Sequence, residues 1–288
     1  MNGLAHAHLR AYGTRLARAL RPLWLGALLA SSACPAQKGA ENPAAAAATI
    51  SSREVSYASG STRLKGFIAY PAGDQKRPGV LIVHEWWGLN DYVRKRATQL
   101  AQQGYVALAI DMYGEGKSTS HPEQAQAFIR TVMSNAEEAK ARFKAAQALL
   151  SSDPRVDGER LAAIGYCAGG AIALNMARAG DNELDLVASF HGNLAAQSPM
   201  PKGGYGGKIF VAHGGADPFV PAEQVDAFKQ EMKAAHVDLE FVEYPGAKHG
   251  FTNPEATESG RKSGLPLAYD ADADKKSWQR LSELLQAL

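Results

Sequence analysis

Leu161-Ala-Ala-Ile-Gly-Tyr-Cys-Ala-Gly-Gly170 decides how the rest of the chain is read. Four mostly apolar residues, Leu161 to Ile164, run into Gly165-Tyr-Cys-Ala-Gly169, and a run of small residues, Ala171 to Ala177, follows at once. Strand, tight turn and helix in that order are the geometry of a nucleophile elbow, G-x-S-x-G, with Cys167 at the serine position. The flanking glycines suit it, because the central backbone is strained and its neighbours must carry little bulk. Read more plainly, the stretch is a glycine-rich strand-to-helix turn holding a small buried thiol.

Outward from the elbow, strand and helix patterns alternate. Ser51 to Tyr70 reads as two antiparallel strands turning at Gly60-Ser61, and 71–78 as a loop. Short apolar runs at 79–83 and 105–110 mark strands covered on both faces. Asp91 to Gln103 is an amphipathic helix with Tyr92, Val93, Ala97, Leu100 and Ala101 on one side, closed by Gly104. Pro122 to Met133 reads as helix, and Ser134-Asn-Ala-Glu137 as a capping box opening another helix to about Leu150. Beyond the elbow come helix 170–179, strands 186–190 and 208–213, helix 222–235, strand 239–244 and a last helix over 273–288. The expected fold is therefore α/β, a mostly parallel central sheet with helices on both faces. In such sheets ligands sit where strands end, so chemistry is sought directly after each one.

The 288 residues suffice for one sizeable domain, and 45% hydrophobic with 21% charged residues is ordinary for a globular chain. Arg10, Arg15, Arg18 and Arg21 lie in the first 33 residues, which contain no acid, so the net charge of +2 becomes −2 without them. That leaves no basic excess to suggest nucleic-acid binding. Residues 1–33 read as an export signal: arginines, then Leu23-Trp-Leu-Gly-Ala-Leu-Leu-Ala30, then small residues. The apolar run is too short for a permanent transmembrane helix, so none is expected in the mature form. Cleavage before Cys34 opens the alternative of a lipid anchor on that cysteine, although Ser31 stands where lipoprotein signals usually place leucine. Residues 34–50 read as a flexible tether, and 51–288 as the folded domain. The expected location is periplasmic or secreted. Cys34 and Cys167 are the two cysteines, so the domain has no internal disulfide, and a lone thiol in an oxidising compartment favours a task for it.

A thiol nucleophile needs a general base, and the base an acid to orient it. In this fold class the chain order is nucleophile, acid, base. Of five aspartates between Cys167 and the C-terminal histidines, Asp181 and Asp185 sit at the wrong end of the sheet. Asp226 falls inside a helix and Asp238 begins a strand. Asp217 alone follows a strand's carboxyl end, in His213-Gly-Gly-Ala-Asp217, although it could serve only as a helix cap. His236 precedes a strand, whereas His249 follows one through a glycine-flanked loop. Topology thus selects Cys167, His249 and Asp217. His84-Glu85-Trp86-Trp87-Gly88 is no zinc motif, because a histidine would be needed at Gly88. Asp111-Met-Tyr-Gly-Glu-Gly-Lys-Ser118 fails as a phosphate loop, with Asp111 in the first glycine's place. No metal and no cofactor is expected.

From about Ser51 to its end the chain resembles the dienelactone hydrolase family of α/β hydrolases. The resemblance rests on Glu85-x-x-Gly88, Gly165-Tyr-Cys-Ala-Gly169, Gly214-Gly-Ala-Asp217 and His249-Gly-Phe251. It implies that Cys167 attacks a lactone or ester carbonyl, that His249 shuttles the proton and that Asp217 orients it. By the same resemblance Glu85 holds and activates the resting thiol, and the amides of Ala168 and Trp86 form an oxyanion hole. Tyr166 and His191, with Trp87, Tyr113 and Phe251, are expected to line the pocket around a small-molecule ester or lactone. The family's carboxylate-binding arginines are missing: Glu115 and Asn253 stand at those positions, which counts against a strict carboxymethylenebutenolidase. The rival reading is a catalytically silent exported protein that binds a ligand in the same pocket.

Overall fold

The computed structural model describes residues 49–196 and 198–288. The proposed signal, most of the tether and Cys34 lie outside the described residues. Eight strands form one sheet: β1 (Ile50–Ser59), β2 (Thr62–Pro71), β3 (Arg77–Val83), β4 (Val106–Ile110), β5 (Val156–Tyr166), β6 (Leu186–Phe190), β7 (Lys208–Gly214) and β8 (Asp238–Tyr244). Their spatial order is β1-β2-β4-β3-β5-β6-β7-β8. The hairpin β1–β2 and the β2–β4 pair are antiparallel, and every pairing from β4 through β8 is parallel.

Seven helices accompany the described strands: α1 (Asp91–Gln102), α2 (Pro122–Met133), α3 (Ala136–Ser151), α4 (Ala168–Arg178), α5 (Ala222–Ala235), α6 (Ala256–Ser263) and α7 (Ala271–Leu285). The pleat splits the apolar strand residues between two cores. Val80, Ile82, Ala162, Ile164 and Tyr166 face α1 and α7, through Val93, Leu100 and Leu281. Leu81, Val83, Leu161, Ala163 and Val211 face α3, α4 and α5, through Phe143, Leu174 and Phe228. Strands buried on both faces read as unbroken apolar runs, which is why β3, β4 and β5 were visible in the sequence. Among the described residues no helix is long and apolar enough to cross a membrane.

Several boundaries differ from the expectation. The cap of α3 is Asn135 rather than Ser134; its side chain accepts from the Glu138 amide at 3.1 Å and donates to the Glu138 carboxylate at 3.3 Å. The box is thus shifted by one residue. Strand β5 begins earlier, at Val156, because its pairing with β3 jumps from Pro78↔Asp157 to Gly79↔Leu161 and resumes. Helix α7 starts at Ala271, where the Asp270 carboxylate accepts from the amides of Asp272 and Ala273. Helix α6 was not foreseen. It buries only Ala256 and Gly260, so it carries no apolar stripe to read.

Candidate active site

The side chains singled out by topology come together at the carboxyl edge of the parallel strands. Cys167 follows β5 and is the N-cap of α4, at φ 54° and ψ −120°. This region is costly for a residue with a side chain and persists only where surrounding structure fixes it. Close backbone approach explains the glycines. A Cβ on Gly165 would lie 2.0 Å from the Gly169 carbonyl oxygen, and one on Gly169 would lie 2.4 Å from that of Val83. No side chain fits in either place, so the turn must be built from glycine.

Asp217 follows β7 and His249 follows β8. The His249 Nδ1 donates to Asp217 Oδ2 at 2.8 Å, and the other carboxylate oxygen accepts from the Phe219 amide at 2.9 Å. Nδ1 being so engaged leaves Nε2 as the imidazole nitrogen free to work. Burial alone would pull the His249 pKa down. Charge at Cys167 and the hydrogen bond to Asp217 outweigh it, and with a further hydrogen bond to Cys167 they push the imidazole up to about 10. The four remaining aspartates stand where topology put them: Asp185 Oδ2 accepts from the Leu161 amide at the opposite edge, Asp181 meets Lys144, Asp226 lies inside α5, and Asp238 begins β8 and meets Lys208. His236 is the left-handed cap of α5.

Glu85, just past β3, is buried, and desolvation raises its carboxyl from 4.5 to about 7. Its carboxylate oxygen accepts from Asn253 Nδ2 at 2.7 Å. The structure therefore pairs Glu85 with Asn253, where the resemblance led us to expect the thiol. The buried Asn253 occupies the position of a missing arginine, and Glu115, at the other, is exposed beside Arg63.

The loop after β3 is held from two sides. Met112 N donates to His84 Nε2 at 3.2 Å, so the neutral ring carries its proton on Nδ1 and donates it to the Glu85 carbonyl at 2.6 Å. Tyr113 Oη donates to the Trp86 carbonyl at 2.9 Å. Asp111 fixes Tyr113 in turn: its carboxylate accepts from the amides of Tyr113, Gly114, Gly116 and Lys65. The residue that disqualifies this loop as a phosphate cradle, Asp111, is thus the centre of a carboxylate knot. Among the described residues, the amides of Trp86 and Ala168 donate to no protein acceptor. Ala168 opens α4, where the helix dipole adds to its donor.

Three expected pocket residues lie beneath the site. Tyr166 ends β5 on the α1/α7 side and is 1% exposed, and Phe251 is fully buried in the same core. His191 is also fully buried, and its Nδ1 accepts from the Cys167 amide at 3.1 Å. Pleat parity and the turn of each loop aim these side chains inward. Tyr113 is buried with its charge-sensitive hydroxyl near Cys167, and Trp87 packs against the partly exposed Trp86 at 4.7 Å between ring centroids. Phe219 is not among the residues that the sequence singles out. Among the described residues it is the large apolar side chain left exposed, at 42%, and its ring meets His249 edge-on at 5.0 Å. Its place two residues after Asp217 was the available signal. Among the described residues no group of three or more His, Cys, Asp or Glu is set to hold a metal ion.

Known proteins align with this arrangement over most of the chain. The model of the dienelactone hydrolase family matches residues 64–288. A crystal structure titled as a dienelactone hydrolase-like promiscuous phosphotriesterase from metagenomic libraries is 34% identical. It superposes with a TM-score of 0.78 over 83% of this chain and 98% of that one. An uncharacterized protein of Caenorhabditis elegans is 39% identical over 148 residues, 51% of this chain and 92% of its own length. A protein of Methylorubrum extorquens provisionally named carboxymethylenebutenolidase is 26% identical over 76% of this chain and 75% of its own. With its sheet order, its elbow and this length of match, the chain belongs to the dienelactone hydrolase family.

Proposed function

We propose that the protein hydrolyses uncharged carboxylic esters or lactones through Cys167, His249 and Asp217. The observation that carries this reading is a cysteine held at φ 54° at the start of α4, facing an imidazole whose far nitrogen is tied to a buried aspartate. A free thiol has a pKa of about 8.5, and the imidazole beside it can take the proton. The thiolate attacks the carbonyl carbon, and the oxyanion that forms is met by the N–H groups of Trp86 and Ala168. Losing one such donor typically costs about a hundredfold in rate. His249 Nε2 protonates the departing alkoxide, leaving a thioester. Water then attacks with His249 accepting its proton, the acid leaves, and the thiolate returns. Thiolate leaves more readily than alkoxide, so the site suits esters with stabilised leaving groups, enol lactones among them, over amides.

An uncharged substrate is favoured because Asn253 stands bound to Glu85 where the family's carboxylate-binding arginine would be, and Glu115 points to solvent. Partly exposed Trp86 and exposed Phe219 offer an apolar rim. Export belongs to the same proposal, on the strength of the apolar run Leu23 to Ala30 and the small residues after it. The intact mass of the exported chain distinguishes plain cleavage from a lipid on Cys34.

The reading is tested by turnover of a panel of aryl esters, alkyl esters, lactones and an uncharged aryl phosphotriester. Cys167→Ala and iodoacetamide are both expected to abolish activity. Undiminished turnover in Cys167→Ala defeats the mechanism, and no thiol-dependent turnover on any member favours the ligand-binding alternative.

A further inference from the structure

A chain of buried polar groups runs behind the elbow, away from the substrate side. The Cys167 amide is shared between the Phe190 carbonyl at 3.0 Å and His191 Nδ1 at 3.1 Å. An amide nitrogen only donates, so Nδ1 must carry a lone pair. His191 Nε2 lies 2.7 Å from Thr252 Oγ1, and in a neutral ring with bare Nδ1 it is the nitrogen that donates. Thr252 Oγ1 shares a further hydrogen bond with Tyr92 Oη at 2.7 Å, and that oxygen accepts from Arg96 Nε at 3.3 Å. Arg96 also donates to the Thr252 carbonyl at 2.8 Å and pairs with Asp274 on α7. His191, Thr252, Tyr92 and Arg96 are all buried. Thr252 stands three residues after His249, so the same residue touches the loop of the base and, through His191, the amide of the nucleophile.

We propose that Thr252 and His191 are positioning residues: the Thr252 hydroxyl holds the imidazole as its Nε2–H tautomer, and the bare Nδ1 then holds the Cys167 amide and the strained elbow. The role is one in the reaction proposed above and rests on Cys167 being its nucleophile. Each alternative state of the ring conflicts with its surroundings. The Nδ1–H tautomer sets one N–H against another at Cys167. The doubly protonated ring is opposed by burial and by the neighbouring charges of His249 and Arg96. With the hydroxyl gone, the Nε2–H would be a buried donor without an acceptor, and the ring would keep its tautomer only at a penalty. His191 itself sits at φ 39°, so its backbone is held by context as well.

The test uses the full chain with ¹⁵N-labelled histidine, His191 being assigned by comparison with His191→Gln. A pyridine-like Nδ1 and a pyrrole-like Nε2 are expected in the wild type and in Thr252→Ser. Thr252→Val, which keeps the shape and removes the hydroxyl, is expected to lose that pattern. Its kcat on an activated aryl ester should fall roughly ten- to hundredfold, the cost of misplacing a reacting group by a fraction of an ångström, with KM little changed. Thr252→Ser should restore kcat. The rate of Cys167 alkylation by iodoacetamide is read beside kcat and is expected to follow it. A protonated Nδ1 in the wild type overturns the proposal, whether or not Thr252→Val folds. So does a folded Thr252→Val with wild-type kcat, or one that loses activity with the His191 tautomer unchanged. The tautomer is read without turnover, so an inactive wild type with bare Nδ1 overturns the reaction and the catalytic part of this role with it, while the hold of Thr252 and His191 on the elbow is decided by the spectra and the alkylation rates.

Discussion

Replacing Glu85 by glutamine removes a charge that the fold opposes. The carboxyl is buried in the loop after β3, and burial raises it from 4.5 to about 7, while Asn253 offsets part of that shift. Below pH 4.5 it is neutral in both the folded and unfolded chain, so glutamine changes little. Between 4.5 and 7 the unfolded chain releases a proton that the folded chain keeps, and stability falls as pH rises. Above pH 7 the penalty is complete. At about 1.4 kcal/mol per unit of pKa, a shift of this size amounts to about 3 kcal/mol. Glu85→Gln still accepts from Asn253 and carries no such penalty. It should therefore be more stable than the wild type at pH 8 by about 3 kcal/mol, roughly 6–12 °C in Tm for a domain of this size. At pH 4 the two should coincide. Thermal and urea unfolding at both pH values and matched ionic strength measure the difference. Equal stabilities at pH 8, or a gap of the same size at pH 4, would refute the view that burial keeps this carboxyl protonated.

Three other substitutions probe the base, the elbow and the rim. In Cys167→Ala the charge that most strongly raises His249 is gone, so the imidazole should titrate well below 10 by NMR, and a pKa still near 10 would contradict the assigned contact. The corresponding stability is present below pH 6.5 in the wild type and is lost as pH climbs through 10, so the variant should lose less stability over that range. Gly169→Ala puts a Cβ 2.4 Å from the Val83 and 2.5 Å from the His84 carbonyl oxygen, so it should cost about 1–3 kcal/mol or more in unfolding and most of the activity. Wild-type stability and turnover in that variant would mean that the elbow has slack. Phe219→Ala removes the exposed ring beside His249, and the preference in kcat/KM for aryl over alkyl esters should fall about fivefold. An unchanged preference would remove Phe219 from the rim.

What could be read from the chain alone was whatever topology dictates. Cys167, Asp217 and His249 each lie within a few residues of the end of a strand that the sequence pattern announces, and parallel strands bring their carboxyl ends to one edge. Elimination worked for the same reason, since Asp185 and His236 fall at the other edge. Side-chain direction was harder. Tyr166 and Phe251 are neighbours of that set in sequence and His191 directly follows β6, yet pleat parity and loop curvature turn all three inward. Contacts between distant segments were illegible: Glu85 meets Asn253 across 168 positions, and Tyr92 meets Thr252 across 160. Helix α6 escaped because a short helix that buries Ala256 and Gly260 has no apolar period to detect.

The central claim is that Cys167 carries the acyl group. Intact mass and peptide mapping after rapid quench with a slowly deacylating aryl ester measure it directly. A mass gain of one acyl group is expected on the peptide bearing Cys167, formed at the rate of the phenol burst and absent from Cys167→Ala. Steady turnover with no acyl group on that peptide, or an adduct of equal yield in Cys167→Ala, would contradict it.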